Sequence, residues 1–192
     1  MMTPADDQLT DDELTSRILE AALGEFRDYG LRRTSMDNVA RRAGIARATI
    51  YRRFPNKTVL MRVVAAREVH RSMAQITRAV AGLPTVEERL VEGFVAAIRL
   101  ARTDALLTRL LESEPETVLP HLTIDSEFAL SAVSGFLTEQ LTHSAGVCDP
   151  GAVAEVMARL GLSIVLAPRS RIGLDTDEQL RAFGHRFLVP LL

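Results

Sequence analysis

The sequence predicts an all-α protein: a small N-terminal three-helix unit followed by a larger helical remainder. Three observations predict it. Segment after segment places apolar residues at helical spacing, and no run of alternating β-branched residues calls for a sheet. The stretch Thr34–Phe54 reads as two short helices joined by a glycine turn. Charge is uneven although the net is only −2. Arg27–Arg78 holds 13 basic and 3 acidic residues, whereas Ala81–Leu192 holds 9 basic and 15 acidic. A basic block on an acidic remainder suggests a polyanion-binding unit on a carrier.

Composition sets the other bounds. The 192 residues suffice for one large or two small domains, and 47% hydrophobic content makes the chain globular. One cysteine, Cys148, allows no internal disulfide and fits a reducing compartment. The first 16 residues are acidic and polar, without the apolar centre of a signal peptide, and no apolar run approaches a bilayer span. A cytoplasmic location is expected.

Residues 1–11 read as a disordered acidic tail. The first helix is expected from about Asp12 to Tyr29, with Ile18, Ala22, Phe26 and Tyr29 on its core stripe. Gly30 ends it. Met36, Val39, Ala40 and Ala43 then fall at i, i+3, i+4 and i+7. Ser35 can cap this helix, because its oxygen can accept a free backbone N–H, and Gly44 can supply the left-handed turn that ends it.

The next helix, Ala46–Phe54, resolves by angle. At about 100° per residue, Ile50 and Phe54 lie close together and form the buried side. Ala48, Thr49 and Arg52 face the opposite way, flanked by Tyr51 and Arg53. Small residues, a hydroxyl and long cations are what a DNA major groove accepts. This is the shape of a helix-turn-helix, although a solvated arginine face would show the same spacing.

Pro55 stops that helix and Asn56 can cap the next, expected over Lys57–Val80 as a structural spine. Lys57 stands at its N-terminus, where free N–H groups already favour an anion; a DNA phosphate or plain solvent fits. Gly82-Leu83-Pro84 breaks the chain. Helices follow at about 85–102, 104–113, 124–144, 150–167 and 176–189, with residues 114–121 a loop or short helical turn. Val153, Val156, Met157, Leu160, Ile164 and Val165 form one apolar stripe near the end. Leu180, Phe183, Phe187 and Leu188 form another. Either an internal core or a dimer contact accounts for both.

The residues Ile18-Leu-Glu-Ala-Ala-Leu23, Phe26, Gly30, Thr34-Ser-Met-Asp-Asn-Val-Ala40, Ala43-Gly-Ile45, Thr49-Ile-Tyr-Arg-Arg-Phe54 and Asn56-Lys57 resemble the TetR family of bacterial transcriptional repressors. The resemblance covers about the first 65 residues. It implies a homodimer: a DNA-binding helix-turn-helix domain at 12–57, its spine continuing to about 80, and an effector-binding and dimerisation domain at 58–192. The dimer would form through the helices near 150–167 and 176–189, with Gly161 permitting close approach. Positions matching the family's DNA contacts are Ser35, Met36, Arg47, Ala48, Thr49, Tyr51 and Arg53, with Lys57 on phosphate; Arg52 joins them by angle. Ala46 stands where the family commonly has a capping serine, and Ala48 where it often has glycine. The implied function is repression at a palindromic double-stranded DNA operator, relieved by a small, mostly apolar effector. Candidate effector contacts are Phe94, Ile98, Arg102, Leu110, His121, Phe128 and Ser131, with Ser134 beside them; the apolar ones can equally fill a core.

A DNA-binding protein without effector control is the alternative, and a helical enzyme a more distant one. No nucleophile elbow, phosphate loop or zinc spacing is present. His70, His121, His143 and His185 are scattered, and Glu112, Glu114 and Glu116 read as a solvated turn. No enzyme activity, metal or cofactor is expected, nor any association with a membrane.

Overall fold

Alternating caps and breakers divide the chain into helices. The computed structural model describes residues 10–124, 127–142 and 147–192. In order these form α1 (Asp11–Arg33), α2 (Met36–Ala43), α3 (Arg47–Arg53), α4 (Lys57–Val80) and α5 (Val86–Thr103). Next come α6 (Ala105–Ser113), α7 (Pro115–Leu122), α8 (Glu127–Thr142), α9 (Pro150–Leu166) and α10 (Asp177–Phe183). A π-turn, Gly184–Leu188, and a 3-10 turn, Val189–Leu191, extend α10 to the end. There is no strand among the described residues. The acidic tail expected at 1–11 lies almost wholly outside them, as does His143.

Contacts divide the chain into two units. The first runs to Glu68 and includes Ala105–Leu119. The second is Val69–Asp104 with Pro120–Leu192. The sequence places the DNA-binding domain at 12–57, its spine continuing to about 80 and able to serve both parts, with everything beyond in the second domain. Instead α6 and most of α7 go with the N-terminal helices, and α4 contributes to both units by length.

In the first unit α1 packs on α2 and α6, and α2 packs on α3. Ile18, Ala22, Phe26, Val39, Ile50, Leu60 and Val64 are buried. Thr10 opens α1 with a capping box, its hydroxyl accepting from the Glu13 N–H. Gly30 does not simply end the helix. At φ 80°, ψ 173° it interrupts the helix, which resumes for one turn to Arg33. Ser35 Oγ accepts from the Asn38 N–H at 3.1 Å, and Gly44 at φ 65° closes α2, as the sequence suggested. Asn56 Oδ1 caps α4 by accepting from the Val59 N–H at 2.9 Å.

Of the loop and the short helical turn expected here, residues 115–122 form the helix, two turns long. Pro115 occupies its first position, where no N–H is needed, and Pro120 lies only in its last turn.

The second unit is built on apolar burial. Val95 and Ile98 of α5, Leu141 of α8, Ala154, Met157 and Ile164 of α9, Leu174, Leu180, Phe183 and Leu188 form one core cluster. Phe94 stacks on Phe183 with ring centroids 5.6 Å apart. Met157, Ile164, Leu180, Phe183 and Leu188, expected on dimer-forming stripes, therefore face their own unit's interior. Val156 and Phe187 remain exposed.

Candidate nucleic-acid interface

The two short helices present their polar side because their apolar side is fully used. Ile50 is wholly buried and Phe54 nearly so. This leaves Arg47, Ala48, Tyr51 and Arg52 exposed and Thr49 half-buried on the outer face of α3. Ala46 supplies no side-chain cap, as its missing hydroxyl requires, and α3 is only seven residues long. Met36 does not belong to this surface. It is 6% exposed because it begins the apolar stripe of α2, so its expected DNA contact gives way to core packing.

Two cations of the interface are differently placed from what charge alone suggests. Arg53 turns to the start of α1, pairing with Asp11 and donating to Thr15 Oγ1 at 2.5 Å. Its buried Nε has no hydrogen-bond partner among the described residues. Lys57 Nζ donates to the carbonyls of Leu31 and Thr34 at 2.7 and 3.0 Å. It therefore ties α4 to the link between α1 and α2. Arg41 donates to Asn38 Oδ1 at 2.7 Å on the outer side of α2. Arg52 makes no hydrogen bond or ion pair among the described residues and is free to meet a polyanion.

Arg47 is held from two sides. Its Nε lies 3.0 Å from Asp37 Oδ1 of α2, and its guanidinium carbon is 5.5 Å from the Tyr51 ring centroid, a cation–π distance. Sequence reasoning passed over Asp37. The available signal was that it is the only acid between Asp28 and Glu68.

Directional bonds fix the platform beneath this face. Arg42 of α2 reaches Glu25 and Asp28 of α1 at 3.2 and 2.6 Å, and these two carboxylates raise its already high pKa, Asp28 first. Thr34 Oγ1 donates to the carbonyls of Gly30 and Glu25 at 2.7 and 3.2 Å. Arg109 of α6 donates to the carbonyls of Arg27 and Asp28. Glu114, far from being solvated, is 7% exposed and accepts from the Arg32 N–H at 2.9 Å. Arg32 also pairs with Glu116 at 2.8 Å; that carboxyl sits below its ordinary pKa, chiefly through its own backbone N–H and then through Arg32.

The expected effector contacts are divided between the two units. Leu110 belongs to the first unit, and Phe94, Ile98, Arg102, His121 and Ser131 to the second. Ile98 is 2% exposed within the core. Arg102 is tethered to the Leu174 carbonyl at 2.7 Å. Ser131 is exposed, and the Phe128 side chain lies outside the described residues. A cavity of about 470 Å³ does open in the second unit, between the end of α4, α5 and α10. Val80, Leu83 and Val91 give it apolar walls, and Glu88, Glu92, Arg99, Arg181 and His185 line it with mixed charge. None of the expected residues lines it.

A helix-turn-helix with an exposed cationic face on a buried back, carried on a larger helical unit, defines a DNA-reading regulator. Residues 18–64 match the family model of bacterial regulatory proteins, tetR family, and residues 86–183 match the C-terminal domain model of the bacterial tetracyclin repressor. The chain belongs to the TetR family and is a DNA-binding transcriptional regulator. It is 27% identical to the HTH-type transcriptional regulator Rv1255c of Mycobacterium tuberculosis, over 92% of this chain and 84% of that one. It is 29% identical to the HTH-type transcriptional repressor KstR of Mycolicibacterium smegmatis, over 88% of this chain and 83% of that one. The crystal structure of the repressor AlkX from Dietzia, implicated in biodegradation of n-alkanes, shares the fold with TM-score 0.73 at 20% identity, covering 92% and 94% of the two chains. No described helix is long and apolar enough to cross a membrane.

Proposed function

We propose that the chain acts as a homodimeric repressor whose paired α3 helices read a palindromic operator, and that a small effector bound by the second unit relieves repression. The observation that carries the DNA reading is the outer face of α3, where Arg47, Ala48, Thr49, Tyr51 and Arg52 stand clear of a helix anchored by Ile50. One such face touches few bases. Two related by a twofold axis read half-sites about 34–36 Å apart or a multiple of it. Exposed Val156 of α9 and Phe187 beyond α10 support a dimer contact through these helices. For the effector, the cavity by Val80, Leu83 and Val91 suits an apolar body. Relief works only if the effector binds two conformations unequally.

The DNA reading is tested by fluorescence anisotropy on the DNA upstream of the protein's own gene at several salt concentrations. If each protomer neutralises about four phosphates, log K falls with log salt at a slope of about −7 for the dimer. A flat response overturns the reading. Deleting the gene and measuring transcription from that DNA gives the direction: a rise supports repression and a fall establishes activation.

A further inference from the structure

We infer that Asp37 is a positioning residue that determines specificity: its carboxylate holds Arg47 over Tyr51, so that the guanidinium meets a base edge instead of the nearest phosphate. This rests on the DNA reading proposed above.

The starting point is charge. Between Asp28 and Glu68 the chain carries ten cations and one acid, Asp37. A carboxylate on a surface that approaches phosphates opposes binding. Its position shows what it does. Asp37 lies in the first turn of α2, half exposed, and reaches across the turn to the first residue of α3. Arg47 is 69% exposed, with a long side chain free to adopt many rotamers. An arginine in that state takes whichever phosphate is closest. The carboxylate at 3.0 Å and the ring at 5.5 Å bias it toward one direction before DNA arrives. A pair this exposed contributes little in water. It strengthens where DNA excludes water, because the same charges then interact through a lower dielectric.

A different role for Asp37 is available: an acid in a first helical turn is favoured by the helix dipole alone. That role does not depend on Arg47. A double-mutant cycle on the full-length protein therefore separates the two. Wild type, Asp37→Asn, Arg47→Ala and the double variant are each passed through selection from a random duplex pool. Affinity is then measured for the wild-type-selected duplex and for random-sequence duplex.

We expect Asp37→Asn to bind random duplex several-fold more tightly, because it removes one negative charge per protomer. Its selected-to-random ratio should fall about tenfold, the scale of one arginine–guanine contact. Arg47→Ala should lose the same base position, and adding Asp37→Asn to it should lower the ratio no further. A wild-type motif and ratio from Asp37→Asn would overturn the inference. So would an equal loss of ratio with and without Arg47. If the wild type enriches no motif, the DNA reading itself fails and takes this inference with it. Thermal unfolding of Asp37→Asn should match wild type, since the residue is exposed; a large drop in Tm would assign Asp37 to stability and overturn the positioning role.

Discussion

The two units are held together in different ways. In the first, each helix joint carries a directional polar bond at the rim of the apolar core. Arg42 ties α1 to α2, Arg53 ties α1 to α3, Arg67 ties α4 to Glu20 and Ser16 of α1, and Arg109 and Glu114 tie α6 and its end to α1. In the second, one apolar cluster draws on α5, α8, α9 and α10, and polar ties concentrate around α10. Apolar burial is non-directional, whereas a charged hydrogen bond fixes an angle. A unit that must aim side chains at a base edge needs the second kind of restraint. A unit that serves as carrier needs mainly volume.

Core truncation should show the largest effects and tests whether the units behave separately. Phe26, 1% exposed, anchors α1; Phe26→Ala should cost about 3–5 kcal/mol. Leu180, 2% exposed, anchors α10; Leu180→Ala should cost about 2–5 kcal/mol. Hydrogen exchange should place the first loss in α1–α3 and the second in α5 and α10. Equal loss of protection in both units from either variant would break the comparison.

A smaller effect should follow at Gly30, where the directional scheme is most demanding. Its φ of 80° and ψ of 173° belong to a region that only glycine adopts readily. An added Cβ would also collide with Glu114 Oε1. Moving that buried carboxylate would weaken its bond to the Arg32 N–H. Gly30→Ala should therefore destabilise by about 1–3 kcal/mol, read from chemical denaturation. Glu114→Gln keeps an acceptor and removes the charge, and should cost less. An unchanged midpoint in Gly30→Ala would show that the resumed turn at Leu31–Arg33 is dispensable.

How far the sequence could be read depended on how local each feature is. The caps at Ser35 and Asn56 and the left-handed Gly44 act within three residues of themselves, and all three were legible. So was the buried pair Ile50 and Phe54, since period and turn fix one face of a short helix. The partners of Arg53 and Lys57 were not, because a long cation chooses its partner in space: Asp11 and Thr15 for one, two carbonyls for the other. Residues 115–122 read as either a loop or a short helical turn, because two prolines are compatible with either; their positions within the helix make both tolerable. Met36 matched both a core stripe and a family contact, and burial decided between them. In the second unit one helical period describes core, cavity lining and dimer stripe alike. Ile98 and Leu180 therefore became distinguishable from Val156 and Phe187 only when the helices were packed.

The smallest effect is a pH dependence, and it tests whether the ties around α10 matter to an otherwise apolar unit. Arg181 Nε and Nη2 bond the two Glu92 oxygens at 2.6 and 3.2 Å. Arg181 holds the Glu92 carboxyl below its ordinary pKa, against a partial opposing effect of burial. A carboxyl whose pKa is lowered on folding contributes stability that is present above the unfolded value. That contribution is lost as pH falls through the folded value. Because Glu92 is about a third exposed, water screens the pair and the effect stays small. Glu92→Gln should therefore lower Tm slightly at pH 7, and the difference from wild type should shrink below about pH 4. The exposed Glu155–Arg159 pair, one turn apart on α9, serves as reference: Glu155→Gln should change Tm by less at either pH. A gap between Glu92→Gln and wild type that stays constant from pH 7 to pH 3 would show that volume alone holds α10 on α5.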